Sequence, residues 1–138
     1  MRLLNQIFSK DTAGPDILRL AVCAILITHG GYRIYLGEVG GLGDLLKEEG
    51  VPLGLLLAWL ISLGETVGSI LVALRILAAP IALIQAAVPF TGIMMFNRHR
   101  GFFVIGGHAN NGWEYNALIV VCLLVTAWEN RGRLFNRA

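Results

Sequence analysis

Residues 58–74 constrain the fold of this chain most, because they form one long apolar stretch with a single carboxylate, Glu65, near its middle. A carboxylate inside a bilayer costs about 2.5–3.5 kcal/mol on insertion scales, so we predict that Glu65 faces protein or water rather than lipid. Helical spacing places three small residues on the same face as Glu65, namely Ala58, Ser62 and Ser69. Gly64 and Gly68 have the spacing that lets another helix approach closely.

The composition indicates a membrane protein. The chain is 56% hydrophobic and 14% charged, with a mean hydropathy of +0.68, whereas a soluble domain is about 45–50% apolar and about a quarter charged. Its net charge of +2 is small and its basic residues are scattered, which argues against nucleic-acid binding. At 138 residues the chain leaves no room for a separate soluble domain.

Four apolar segments predict an all-α fold, an integral membrane four-helix bundle formed by a single domain over residues 1–138. The predicted spans cover residues 16–36, 52–74, 76–96 and 113–129, and the outer loops cover residues 37–51 and 97–112. Each span approaches the roughly 20 residues that cross a bilayer. The second loop is too short to span and too apolar for a plain linker, so we expect it to be tucked into the bundle. Residues 43–50 predict a short interfacial helix closed by Gly50.

The loop charges predict that both termini are cytoplasmic, since cytoplasmic loops carry more Lys and Arg. With the N-terminus inside, the inner side holds Arg2, Lys10, Arg75, Arg131, Arg133 and Arg137. The outer side then holds Lys47, Arg98 and Arg100. The inner side is therefore the more basic one.

Three ionisable residues of the first span, Arg19, His29 and Arg33, fall on one side of the helix. At ~1.5 Å per residue, His29 and Glu65 differ in depth by less than two turns, so a direct or water-bridged contact is feasible. Arg19 lies nearer the inner face and could reach toward Glu65. The alternatives are that Arg19 and Arg33 are snorkelling anchors and that His29 is a hydrogen-bonded core residue.

A second polar group is predicted near the outer face, where His99, His108 and Glu114 could join His29 in a divalent metal site or a proton relay. Solvated loop histidines are the simpler alternative, and the spacing matches no HExxH or CxxC pattern. Three aromatic residues could border a quinone pocket, namely Phe102, Phe103 and Trp113. Cys23 and Cys122 lie in apolar runs and are expected to pack as free thiols.

Several short motifs, in order along the chain, resemble the DoxX family. They are Leu18-Arg19-Leu20, His29-Gly30, Glu65 with small residues after it, an arginine turn, His99 with Gly101-Phe102-Phe103, and Gly112-Trp113-Glu114. The resemblance covers residues 16–130, and only the Gly- and Asn-rich residues 106–112 depart from the family pattern. It implies a four-helix, multi-pass protein of the bacterial inner membrane, with family-typical polar positions at Arg19, His29, Glu65, His99 and Glu114. Some relatives are subunits of redox systems that deliver electrons to quinone, and others belong to oxidative-stress complexes.

Three functions remain open from the sequence. The first is an oxidoreductase subunit that acts with partner proteins on a quinone or with a divalent metal, with Glu65, His29 and Arg19 as candidate catalytic residues. The second is a non-enzymatic scaffold or assembly partner for membrane or redox proteins, or for further copies of the chain. The third is a small transporter or proton conductor, because ionisable residues inside a membrane often mark pathways.

Overall fold

The computed structural model describes residues 13–97, 101–103 and 112–132, and within these ranges it is all helical. Its five helices are α1 (Ala13–Leu36), α2 (Val39–Glu48), α3 (Gly54–Ala73), α4 (Ala78–Phe96) and α5 (Glu114–Asn130). A π-helical turn, Gly64–Gly68, interrupts α3, and a second, Ile93–Asn97, follows the α-helical part of α4, Ala78–Gly92. The predicted all-α class is therefore confirmed for the described residues.

Three of these helices, α1, α3 and α4, are long and apolar enough to cross a bilayer, with 24, 20 and 19 residues. At ~1.5 Å per residue, each is about 29–36 Å long, which matches a ~30 Å hydrocarbon core. The fifth helix has 17 residues and is about 26 Å long. The chain is a membrane protein, while a fourth span in α5 and the cytoplasmic position of the termini stay predictions.

The long helices run alternately up and down. α1 packs against α3 and α5, and α4 packs against the same two helices. The central core is formed by Val22, Leu26, Ala82, Ala86, Leu123 and Ala127. The alanines of α4 in this core let helix backbones approach closely, as small side chains do inside a membrane.

The two ends of the bundle differ. One end, which we call the turn end, holds the four-residue connection between α3 and α4 and the start of α1. The other, the loop end, holds α2 and residues 101–103. α2 packs on the start of α3 through Gly43, where an added Cβ would come within 2.9 Å of the Leu55 Cα. Phe96 of α4 packs on the same apolar cluster as Val39 of α2.

Three helices end with a residue of positive φ, as in a Schellman cap. Two of these are glycines, Gly37 after α1 and Gly50 after α2. A short helix closed by Gly50 is therefore present as predicted, but it begins at Val39 rather than at residue 43, and its interfacial position stays a prediction. The third is Arg75 after α3, with φ of 60°. Its cap is closed by the amides of Ile76 and Arg75, which donate to the carbonyls of Leu71 (2.8 Å) and Val72 (3.0 Å). An arginine in this conformation is strained by about 1–2 kcal/mol.

Candidate functional site

The predicted polar face of α3 is buried along the whole helix. It is formed by Ala58, Ser62, Glu65 and Ser69, and Val72 extends it beyond the prediction; none of these residues is more than 9% exposed. Glu65 is the second residue of the π-helical turn Gly64–Gly68. Such turns insert an extra residue into an α-helix and occur often at functional sites, because they leave backbone groups free and redirect side chains.

Glu65 is paired with Arg33 of α1. Arg33 Nη1 donates to Glu65 Oε2 at 2.8 Å and lies 3.3 Å from Ser62 Oγ. The side chains of Arg33 and Glu65 are 16% and 11% exposed, so the pair is largely removed from solvent. Ser62 Oγ also donates to the carbonyl of Ala58 at 2.8 Å. The pair and Ser62 form what we call the Arg33–Glu65 site, in the half of the bundle nearer the loop end.

Gly30 explains how α1 and α3 come close enough to form this site. A Cβ at Gly30 would lie 2.8 Å from each of three atoms, namely Glu65 Cβ, the Ser62 carbonyl oxygen and Thr66 Oγ1. Only a hydrogen fits there. On the other side of α3, Gly68 lies against Gln85 of α4, while a Cβ at Gly64 would meet none of the described atoms within 4 Å. The close approach predicted for Gly64 and Gly68 is therefore made by Gly68 and by Gly30.

In the part of the chain that the structure describes, no hydrogen bond or ion pair joins His29 directly to Glu65, and a water-bridged contact between them stays a prediction. His29 lies on α1 with an exposed side chain, one turn before Arg33. Successive residues of a helix turn by ~100°, so His29 and Arg33 differ by about 40° around α1. This difference brings Arg33 onto α3 and leaves His29 at the edge of the packed face. Arg33 is thus a partner of Glu65 rather than a snorkelling anchor.

Arg19 lies at the turn end, about 21 Å along α1 from Arg33. Its guanidinium donates to the carbonyls of Val72, at 3.1 Å, and Ala73, at the end of α3. It therefore neutralises the negative end of the α3 dipole rather than reaching toward Glu65. Asp16 accepts hydrogen bonds from both Arg19 (3.4 Å) and Arg75, and all three residues are buried. The sequence did not single out Asp16 as a partner, and its only signal was an acid at a helix start.

The three aromatic residues considered for a quinone pocket lie together at the loop end. The Phe102 ring packs edge-on against Trp113 at 4.6 Å and against Phe103 at 5.1 Å between centroids. The amides of Trp113 and Glu114 donate to the carbonyls of Gly101 (3.4 Å) and Phe102 (3.1 Å). This aromatic cluster is partly open, since Phe102 and Phe103 are 42% and 70% exposed.

The proposed metal ligands are only partly described. His99 and His108 lie outside the described residues, as does most of the loop that was expected to be tucked into the bundle. Glu114 begins α5 and is half-buried. Within residues 13–97, 101–103 and 112–132, no three His, Cys, Asp or Glu side chains are grouped so that they could hold a metal ion. Cys23 and Cys122 are free thiols.

Gln85 of α4 is a polar residue of the site that the sequence reading missed. Its Nε2 donates to the Gly64 carbonyl and to Ser69 Oγ, each at 2.8 Å. The side chain is buried with only 6% of the residue exposed. A lone glutamine among alanines and prolines in an apolar helix was the available signal, because such a residue needs a buried partner.

The fold and the site of the described residues thus define the class of protein. It is a helical membrane protein with a buried ion pair between two spans. The sequence model of the DoxX family matches residues 14–98, well over half of the chain. The chain belongs to the DoxX family. The match covers α1 to α4 and includes Arg33, Glu65 and Gln85, whereas α5 and the aromatic cluster lie outside it. No curated protein matches the chain, and no solved structure does.

Proposed function

We propose that this protein is a subunit of a redox system in the bacterial inner membrane and that it binds a quinone headgroup beside the Arg33–Glu65 site. One observation carries the proposal. His29 has an exposed side chain inside a membrane-spanning helix, one turn from a buried guanidinium–carboxylate pair. An ionisable group inside a span usually marks a ligand or an ion pathway, because lipid gives it no hydrogen-bond partner.

The chemistry of a quinone suits these groups. A quinone headgroup has carbonyl oxygens that accept hydrogen bonds, and its isoprenoid tail stays in the lipid. The imidazole of His29 offers a donor from the side that α1 leaves open, and the guanidinium of Arg33 lies one turn further along the helix. A headgroup at His29 would thus approach from the bilayer without entering the bundle.

Quinone reduction takes up two electrons and two protons. Histidine is the side chain that exchanges protons most readily near neutral pH, so we assign proton exchange to His29. The sequence carries no haem, flavin or iron–sulfur motif, and we therefore assign electron delivery to a partner protein. The aromatic cluster is at the same end of the bundle and would border the headgroup.

A non-enzymatic assembly role is the second candidate, because the same exposed face of α1 carries polar side chains. Thr28, His29 and Tyr32 are all exposed there. A neighbouring membrane helix could supply the hydrogen-bond partner that lipid does not. In that case the protein would hold other subunits together, and His29 would contact protein rather than quinone.

Labelling with a photoreactive quinone analogue tests the proposal. The protein is purified anaerobically, its lipid extract is assayed for quinone and its metal content is measured. We expect bound quinone and labelling on α1 that falls at least about ten-fold in His29→Ala. Thr28→Ala is the matched control, since Thr28 is an exposed neighbour whose hydroxyl already donates to Ala24. Protein without quinone, labelled equally in both variants, would favour the assembly role.

A further inference from the structure

Gln85 lies across the π-helical turn from one end to the other. Its amide nitrogen donates to the carbonyl of Gly64, the first residue of the turn, and to the hydroxyl of Ser69, the residue after it. Between these two points the amide packs over Gly68, where an added Cβ would come within 3.2 Å of Gln85 Nε2 and 3.3 Å of Ile81 Cγ2. One side chain of α4 therefore holds both ends of the turn.

These contacts stabilise the π-helical turn in particular. A π-helical turn replaces the regular i to i+4 ladder, and carbonyls that leave the ladder need other donors inside a membrane. Gln85 Nε2 supplies such a donor to the Gly64 carbonyl, at 2.8 Å. The other amide atom, Gln85 Oε1, is buried and has no hydrogen-bond partner among the described residues. The orientation of the side chain is thus set by its two donated hydrogen bonds, and it leaves Oε1 without a donor among the described residues.

The turn also fixes the position of Glu65. Glu65 directly follows Gly64, so any movement of the Gly64 carbonyl moves the backbone that carries the carboxylate. On the far side of α3, Gly30 leaves no free space around Glu65 Cβ and Thr66 Oγ1. The carboxylate is therefore held between α1 and a turn whose shape depends on α4.

We infer that Gln85 is a positioning residue for Glu65: it holds the π-helical turn in the register that keeps the carboxylate within reach of Arg33. A change at Gln85 is therefore transmitted to the Arg33–Glu65 site, although among the described residues no hydrogen bond joins Gln85 to Glu65 or Arg33. The inference rests on the proposed function only where quinone binding is the readout.

A double-mutant cycle in the quinone-free protein tests the inference. Unfolding by SDS in mixed micelles is measured for Gln85→Met, Glu65→Gln and the double variant. Methionine is close in volume to glutamine but donates no hydrogen bond. We expect the two changes to be non-additive by at least about five-fold in the unfolding equilibrium constant, because the first already loosens the pair that the second removes. Additive effects within about two-fold would overturn the inference.

Two glycines of the turn provide a matched pair for the same cycle. Gly68→Ala pushes its Cβ against the Gln85 amide, whereas Gly64→Ala adds a Cβ that meets none of the described atoms within 4 Å. The effects of Gly68→Ala and Glu65→Gln on the unfolding equilibrium constant are therefore expected to be non-additive, as for Gln85→Met. The effect of Gly64→Ala is expected to add to that of Glu65→Gln. Equal coupling of the two alanines would contradict a role for the Gln85 amide. Ser69→Ala replaces Gln85→Met if that variant does not fold.

The cycle and the quinone labelling separate the two proposals. Non-additive unfolding without quinone labelling would leave the positioning role of Gln85 intact and remove the quinone function. Quinone labelling combined with additive effects on unfolding would support the quinone function and remove the positioning role of Gln85. If both proposals hold, Gln85→Met lowers labelling at α1 by about the same factor as Glu65→Gln, while Thr126→Val on α5 leaves it unchanged.

Discussion

Arg33 and Glu65 are 32 positions apart in the chain and meet at 2.8 Å between α1 and α3. Each residue alone would be expensive in a membrane, and together they form a largely buried pair. The pair joins the first span to the π-helical turn of α3.

Removing one charge of this pair should destabilise the protein strongly. Glu65→Gln leaves the guanidinium of Arg33 without its anion in a region that is largely removed from water. Loss of one partner of a buried pair costs about 3–5 kcal/mol, and the 11–16% exposure of the two side chains places the expected value near the lower bound. Reversible SDS unfolding in micelles measures it.

The double variant Arg33→Met/Glu65→Gln is the control for that measurement. With both charges gone, no unpaired ion is buried, so the double variant should be more stable than Glu65→Gln alone. If the double variant were instead the less stable of the two, the pair would not be buried as a unit.

Gly30→Ala should separate α1 from α3. The added Cβ would lie 2.8 Å from three atoms of α3, namely the Ser62 backbone carbonyl oxygen and two side-chain atoms of the π-helical turn, Glu65 Cβ and Thr66 Oγ1. Overpacking of this kind costs about 1–3 kcal/mol. Gly31→Ala is the matched control, because its Cβ meets only Thr66 Cγ2, at an ordinary 3.9 Å. Thermal unfolding in detergent should show a lower stability for Gly30→Ala and little change for Gly31→Ala. Similar losses of stability in the two variants would argue against the tight contact at Gly30.

Arg75 combines backbone strain with an ion pair, and substitution can separate the two. Arg75→Gly loses the bond to Asp16 but relieves the positive φ, whereas Arg75→Ala loses the bond and keeps the strain. Both variants should be less stable than the natural protein, since Asp16 loses the guanidinium of Arg75. The free energy of unfolding of the glycine variant should be about 1 kcal/mol higher than that of the alanine variant. Equal stabilities in SDS unfolding would mean that the turn is not strained.

Much of the fold follows from hydrophobic pattern and turn residues. The sequence predicted the buried face of α3 and a short helix closed by Gly50. Each of these depends on local spacing or on a residue type with one conformational preference. The match to the DoxX family model covers residues 14–98 and so lies in the first four helices, whereas the motifs at residues 99–103 and 112–114 lie beyond it.

The partner of Glu65 could not be predicted in the same way. His29 and Arg33 differ by one turn in depth and about 40° around α1, and helix ends read from sequence are uncertain by about as much. The π-helical turn shifts α3 further, and it has no sequence signature of its own. The role of Gln85 depends on that turn and was missed for the same reason.

Gly112→Ala should disrupt the aromatic cluster at the start of α5. A Cβ at Gly112 would overlap the backbone carbonyl of Phe103, so the irregular segment that carries Phe102 and Phe103 has to move away from Trp113. The edge-on contact between Phe102 and Trp113 contributes about 0.5–1.5 kcal/mol beyond burial, and this contribution should be lost when the segment moves.

Tryptophan fluorescence measures this change. In a background with Trp59→Phe and Trp128→Phe, only Trp113 emits, and we expect a red shift of its emission with more efficient quenching. Gly92→Ala in α4, where the added Cβ meets none of the described atoms within 4 Å, should leave the emission unaltered. Unchanged emission in Gly112→Ala would show that the cluster does not depend on the close approach of Gly112 to Phe103.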